Sequence, residues 1–240
     1  MYDFFKIVVG TKPNKSKIMI YPEFNTSTKS KDLMIRGGDF YAIWLEDEQI
    51  WSTDIQEVAK LIDKCIYEKA EEIKDNCDGV PELILLSNFS SKKWTEFRNY
   101  CKSLPDNFHD LNKSIIFSNT NVKKTDYVSK RLDYPLEKTS IDSYEEIIST
   151  LYSKEERRKI EWSIGAVISG DSKNIQKFMV FYGDPGTGKS TILQIIQMLF
   201  PQYYVAFSSK KLGSNSNFTL QTFRSNPLIG IDPDAKLSKI

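Results

Sequence analysis

Residues 183–191 read Gly-Asp-Pro-Gly-Thr-Gly-Lys-Ser-Thr, which matches the pattern G-x-x-x-x-G-K-[S/T] at every fixed position. The short run before it, residues 178–182, is wholly apolar, as is typical of a buried parallel strand. The segment after it, residues 191–200, has apolar residues at helical spacing and is followed by Pro201, which ends a helix. The sequence therefore predicts a strand, a glycine-rich loop and a helix in that order.

This order of elements is the signature of a phosphate-binding P-loop. Its glycines let the main chain approach an anion, so that successive N–H groups and the positive end of the helix surround it. We expect Lys189 to reach the β- and γ-phosphate oxygens of ATP, the Ser190 hydroxyl to ligate Mg²⁺, and Thr191 to lie near the α-phosphate. The predicted nucleotide-binding residues are Gly183, Asp184, Pro185, Gly186, Thr187, Gly188, Lys189, Ser190 and Thr191. The alternative is a glycine-rich turn that carries Lys-Ser without binding phosphate.

A second candidate site, rich in acidic residues, follows the P-loop. There the apolar segment 227–231 runs directly into Asp232-Pro233-Asp234. An apolar strand that ends in a carboxylate is the Walker B pattern, whose acid binds the metal. We therefore expect Asp232 to bind Mg²⁺ together with Ser190, and Lys189, Asp232 and Asp234 to form the catalytic set. The alternative is ordinary turn chemistry, since Asp-Pro is common in turns.

Size and charge bound the function classes. The chain has 240 residues, of which 40% are hydrophobic, enough for one large or two small domains. Its net charge of +1 is too small to attract the whole protein electrostatically to nucleic acid or to a membrane surface. Two local basic groups are either solvated loop faces or DNA contacts. One consists of Lys12, Lys15, Lys17, Lys29 and Lys31, and the other of Lys123, Lys124, Lys130 and Arg131.

The cysteines and the hydropathy pattern favour a protein of a reducing compartment that does not span a membrane. Cys65, Cys77 and Cys101 show no C-x-x-C spacing, and His109 is the single histidine, so a zinc site is not favoured over free thiols. No apolar run approaches the ~20 residues of a membrane span, and the first residues lack the basic start of a signal peptide. We therefore expect no membrane contact and a cytoplasmic location, in the host cell if a phage encodes the chain.

The hydrophobic pattern divides the chain in two. The first fifty residues contain apolar runs separated by turn-forming residues, which predicts strands. Asp54 can cap a long helix to about Asn76, and a second helix is expected from Ser90 or Ser91. Short strands are expected at residues 83–86, 114–118 and 127–132. The Asp142–Glu145 and Ser153–Glu156 pairs each fit a capping box, which predicts two helix starts in succession. We therefore expect an α+β N-terminal domain at 1–138 and a P-loop ATPase domain at 139–240.

From about Ser114 onward the chain resembles the superfamily 3 helicases found in phage and plasmid primase-helicases. The resemblance covers most of the chain and is more specific than the P-loop alone. It is carried by residues 127–135, 153–166, 212–214, 225–232 and 236–240, and more distantly by residues 34–44.

The resemblance implies an α/β fold: an AAA-like P-loop NTPase with a parallel sheet, preceded by the α+β domain. It also implies hexameric rings around DNA, 3′-to-5′ unwinding at a replication origin or fork, and a neighbour's arginine that completes each ATP site. The sensor strand and arginine finger of such helicases would lie beyond residue 240. We therefore expect an incomplete sheet of three parallel strands, at residues 178–182, 203–207 and 228–231, and slow turnover by this chain alone.

Two alternatives stay open. One is a non-catalytic module that binds DNA or a replication partner, with a vestigial ATPase half. The other is a different P-loop ATPase, such as a loader or a small kinase. Primase activity is not assigned, because no convincing set of metal-binding carboxylates precedes the P-loop.

Overall fold

The computed structural model describes residues 2–11, 18–24, 30–76, 80–209, 223 and 227–235. The fold is mixed α/β, with several helices and small sheets of two or three strands. Close contacts divide the chain into two compact units, here unit 1 (residues 1–112 with 122–129) and unit 2 (residues 113–121 with 130–240). The expected division into 1–138 and 139–240 stays a prediction. Within the described ranges, no helix combines the length and apolarity needed to cross a bilayer.

Unit 1 begins with strands, as its sequence predicts. Its elements, in chain order, are β1 (Phe5–Thr11), β2 (Ile18–Phe24), β3 (Leu33–Arg36), β4 (Asp39–Leu45), β5 (Ile50–Ser52), α1 (Ile55–Ile73), β6 (Glu82–Leu83) and α2 (Lys92–Ser103). In one sheet β2 lies in the middle, antiparallel to β1 and parallel to β6. A second sheet consists of β3, β4 and β5, which are antiparallel. Asp54 caps α1 and Ser91 caps α2, both as expected.

The strand predicted at residues 83–86 is shorter than expected, and a buried carboxylate explains why. The ladder ends at Leu83, and Asp63 of α1 accepts hydrogen bonds from the N–H groups of Leu86 at 2.6 Å and Ser87 at 3.2 Å. These amides are therefore taken by a side chain rather than by a neighbouring strand.

Unit 2 carries the glycine-rich loop. Its elements are β7 (Ile116–Phe117), β8 (Arg131–Leu132), α3 (Asp142–Leu151), α4 (Lys154–Ile168), α5 (Ser172–Ile175), α6 (Lys189–Leu199), β9 (Tyr204–Ala206) and β10 (Ile229–Ile231). Both strand pairs, β7 with β8 and β9 with β10, are parallel. The buried core contains Ile115, Phe117, Leu132, Ile148, Ile160, Ile192, Ile196 and Phe200.

Of the two predicted capping boxes, one is confirmed and one is wrong. Ser153 and Glu156 form the reciprocal box at the start of α4. Asp142 is instead the first residue of α3 and caps nothing. The Glu145 carboxylate, which the box would need, binds the Arg157 guanidinium through two hydrogen bonds of 2.5 and 2.6 Å.

Two of the three predicted parallel strands are confirmed, as β9 and β10. The third prediction, a buried strand at residues 178–182, is wrong. This segment pairs with no strand in the part of the chain that the structure describes, and Phe178 is 78% exposed and Tyr182 is 91% exposed. An apolar run becomes a strand only when a neighbouring backbone pairs with it, and none of the described strands pairs with this segment.

Candidate phosphate-binding site

The backbone of the glycine-rich loop has positive φ at three glycines: 154° at Gly183, 82° at Gly186 and 78° at Gly188, the last two in the left-handed helical region. Gly188 is also the residue that precedes the first turn of α6. A Cβ atom at Gly188 would lie 2.5 Å from Leu151 Cδ1, whereas a Cβ at Gly186 would meet nothing within 4 Å. The torsion alone therefore favours glycine at 186, whereas at 188 the Leu151 side chain would also have to shift to admit a Cβ atom.

The Lys189 ammonium lies inside this loop. Nζ donates hydrogen bonds to the carbonyl oxygens of Gly183 at 2.8 Å and Asp184 at 2.6 Å, and to Thr187 Oγ1 at 3.1 Å. Thr187 Oγ1 in turn donates to the Asp184 carbonyl oxygen at 2.9 Å. These partners are neutral oxygens, so the positive charge of Lys189 is not cancelled by a carboxylate among them. The loop therefore holds a fixed cation next to the start of α6.

The first turn of α6 adds further groups suited to an anion. Lys189 is its first residue, and Ser190 and Thr191 are both exposed. The first amides of an α-helix have no intrahelical acceptor, and the helix dipole makes this end positive. The arrangement can therefore bind an anion through main-chain N–H groups and a hydroxyl, with the positive charge of Lys189 beside them.

Residues at the end of α3 position the loop, and the sequence did not single them out. Tyr152 Oη donates to the Gly188 carbonyl oxygen at 3.2 Å, and the Leu151 side chain lies against Gly188. The Tyr152 ring also meets Phe181 edge to face, with centroids 6.5 Å apart. Burial, with a smaller effect from the Glu156 charge, raises the pKa of Tyr152, so its hydroxyl remains a donor. Only the position of Tyr152 between two predicted helices could have drawn attention to it.

The predicted acidic residues lie directly after β10. Asp232 is half-buried, and its carboxylate accepts hydrogen bonds from Ser209 N at 2.7 Å and Asp234 N at 3.2 Å. Asp234 is exposed. The second bond is the turn chemistry that the sequence left as an alternative. A carboxylate oxygen is a ligand that Mg²⁺ prefers in proteins, so Asp232 has the chemistry that the predicted role needs.

The hydrogen bonds described above lie within each half of the predicted site. Those of Lys189 join it to the loop, and those of Asp232 join it to Ser209 and Asp234. The approach of Asp232 to Ser190 stays a prediction. Among the residues that the structure describes, no cluster of three or more His, Cys, Asp or Glu side chains could hold a metal ion.

The structure shows different surroundings for members of the second basic group, which consists of Lys123, Lys124, Lys130 and Arg131. Lys124 pairs with the buried Asp32, and the Arg131 guanidinium donates to the carbonyl oxygens of Ser118 and Thr120, both at 2.9 Å. These two cations therefore stabilise the fold. Lys130 shows no such partner among the described residues.

Several predicted features lie outside the described residues: Lys12, Lys15, Lys17, Lys29, Cys77, and the stretches 212–214 and 236–240. The free thiol predicted at Cys101 is buried, and burial raises its pKa to about 12. Cys65 is a free thiol that is half-buried.

Comparison with protein-family models, curated proteins and solved structures gives no match to this chain.

Proposed function

We propose that residues 183–191 bind the phosphates of ATP, and that the chain acts as a subunit of an ATP-dependent DNA helicase of phage-type replication. The observation that carries the proposal is the Lys189 ammonium, bonded to the carbonyls of Gly183 and Asp184 at the point where α6 begins. The complete sequence pattern of the loop and the left-handed torsions of Gly186 and Gly188 support it.

The main chain, the lysine and the serine of the loop have different tasks in this proposal. The main-chain N–H groups of the loop and of the first turn of α6 bind phosphate oxygens, and Lys189 neutralises their charge. The exposed Ser190 hydroxyl and the Asp232 carboxylate are the ligands for Mg²⁺, which when bound neutralises charge that develops on the phosphates. Asp234, exposed beside Asp232, is assigned the polarisation of the attacking water.

The helicase part of the proposal rests on the resemblance to superfamily 3 helicases. In that arrangement subunits form a hexameric ring around DNA, and each ATP lies between two subunits. A neighbouring subunit then supplies the arginine that stabilises the charge of phosphoryl transfer. We therefore propose that this chain alone hydrolyses ATP slowly.

Calorimetric titration with a nonhydrolysable ATP analogue and Mg²⁺ tests the nucleotide site. We expect Lys189→Ala to weaken binding by about 10- to 100-fold, since a hydrogen bond to a charged group contributes about 1.5–3 kcal/mol. Ser190→Ala should weaken binding in the presence of Mg²⁺ but have little effect when Mg²⁺ is chelated.

The matched control is Lys154→Ala, which removes an exposed lysine from the start of α4 and should bind the analogue as the parent chain does. Circular dichroism checks that each variant is folded. Equal affinity in Lys189→Ala and Lys154→Ala would disprove the proposed nucleotide site.

One observation favours the alternative, a module that binds DNA or a partner without catalysis. The segment that leads into the loop, residues 178–182, pairs with no strand among the described residues and is mostly exposed. A P-loop that lacks this support would position a triphosphate poorly. DNA binding that persists without nucleotide and in Lys189→Ala, together with no analogue binding, would select this alternative.

A further inference from the structure

A cavity of about 280 Å³ lies within unit 1. It is bounded by the first two residues of β4, the first residue of α1 and one face of α2. Its volume is close to the lower end of the range for small-molecule sites, about 300–1,000 Å³. The cavity therefore has room for one small molecule.

Most of the cavity lining is apolar, and aromatic contacts hold it in place. The apolar lining consists of Phe40, Ile55, Trp94, Phe97 and Cys101. Phe97 is fully buried, and the Trp94 ring lies against the rings of Phe97 and Phe89, with centroids 5.5 and 4.6 Å apart. These contacts fix the lining before a ligand arrives, which lowers the entropic cost of binding.

Two residues of opposite charge, Asp39 and Arg98, complete the lining. Asp39 begins β4 directly after the turn that joins it to β3. The Asp106 carboxylate holds this turn, since it accepts hydrogen bonds from Gly37 N at 3.0 Å and Gly38 N at 3.4 Å. Arg98 lies in the middle of α2. Both charges are therefore carried by main chain whose position is fixed.

These two charged side chains are available to a ligand. In the part of the chain that the structure describes, neither of them forms a hydrogen bond or an ion pair, with the other or with a third residue. Burial, and then the charge of Asp39, raise the pKa of the Cys101 thiol to about 12, and the charge of Arg98 opposes this rise. Both charges therefore act on the same apolar lining.

We propose that this cavity binds a free α-amino acid with an apolar side chain. The Arg98 guanidinium binds the carboxylate of the ligand through its planar fork of donors, and the Asp39 carboxylate accepts hydrogen bonds from the ligand ammonium. The apolar side chain of the ligand lies against the aromatic lining. A nucleotide, whose charge is only negative, would be repelled by Asp39, so the pair of charges favours a ligand that carries both signs.

This inference goes beyond the proposed function and concerns unit 1, so it does not depend on the nucleotide site. Calorimetric titration of the parent chain with L-phenylalanine, L-leucine and L-methionine tests it. We expect at least one of them to bind, and Arg98→Ala and Asp39→Asn each to weaken that binding about 10-fold, since each removes a hydrogen bond between charged groups.

The matched controls are Lys102→Ala and Asp110→Asn, which change the same charges at exposed positions of unit 1 outside the cavity lining. Both should bind the amino acid as the parent chain does. Far-UV circular dichroism checks the fold of all variants. If none of the three amino acids binds, or if the controls weaken binding as much as the cavity variants do, the proposed site is wrong.

Truncated ligands test the role of each charge without relying on the folding of a variant. Phenylpropionate lacks the ammonium of phenylalanine, and phenylethylamine lacks its carboxylate, so both should bind the parent chain more weakly. Asp39→Asn should then not weaken binding of phenylpropionate, and Arg98→Ala should not weaken binding of phenylethylamine. Phenylpropionate that binds as tightly as phenylalanine, or guanosine monophosphate that displaces phenylalanine at lower concentration, would overturn the assignment to an amino acid.

Discussion

At the scale of single residues, the loop shows which glycines the structure requires. Gly186 and Gly188 share a left-handed torsion, but only Gly188 also faces a side chain, that of Leu151. The sequence pattern marks all three loop glycines and does not distinguish these reasons. The contact with Leu151 joins residues 37 positions apart, so local pattern could not predict it.

Alanine substitutions should separate the two requirements. We expect Gly186→Ala to lower the free energy of unfolding by about 1–2 kcal/mol, the cost of a left-handed torsion for an L-residue. Gly188→Ala should cost about 1–3 kcal/mol more, because its Cβ overlaps Leu151. Urea denaturation measures both values.

A third variant isolates the steric part. In Gly188→Ala/Leu151→Ala the overlap is absent, so the double variant should be more stable than the sum of the single effects predicts. Strict additivity would show that Leu151 does not restrict the loop.

At the scale of elements, the sequence predicted helices better than strands. A helix satisfies its hydrogen bonds within one segment, so spacing and caps are local information, as α1, α2, α4 and α6 show. A strand needs a partner, and residues 178–182 are as apolar as β10 but pair with none of the described strands. The failed box at Asp142 has the same origin, because Arg157, which binds Glu145, lies 12 residues away.

Ser153 and Asp142, the two residues predicted to cap helices, offer a direct comparison. Ser153 accepts a hydrogen bond from Glu156 N and caps α4, whereas Asp142 caps nothing. We expect Ser153→Ala to lower the free energy of unfolding by about 1 kcal/mol, the usual contribution of such a cap. Asp142→Ala should have a clearly smaller effect, measured by the shift in urea midpoint. An equal loss in both would restore the prediction that both are caps.

At the scale of the whole molecule, the contacts divide the chain into two units, each with its own buried residues. The candidate phosphate-binding loop belongs to unit 2, and the cavity lined by Asp39 and Arg98 belongs to unit 1. The sequence predicted that the loop follows a separate N-terminal domain. It could not predict that residues 113–121 pack with unit 2 while 122–129 pack with unit 1, because such interleaving depends on long-range pairing.

Hydrogen exchange with mass spectrometry can test whether the units unfold separately. Asp63→Ala leaves the amides of Leu86 and Ser87 without their acceptor, which should cost about 1–3 kcal/mol. We expect amides of α1 and β6 to lose protection by this amount while α4 and α6 keep theirs, because compact units open as cooperative blocks. Asp47→Ala, at an exposed acid of unit 1, is the matched control and should change neither. Equal loss of protection in α1 and α6 would show that the two units unfold as one, and the division into units would then have no energetic meaning.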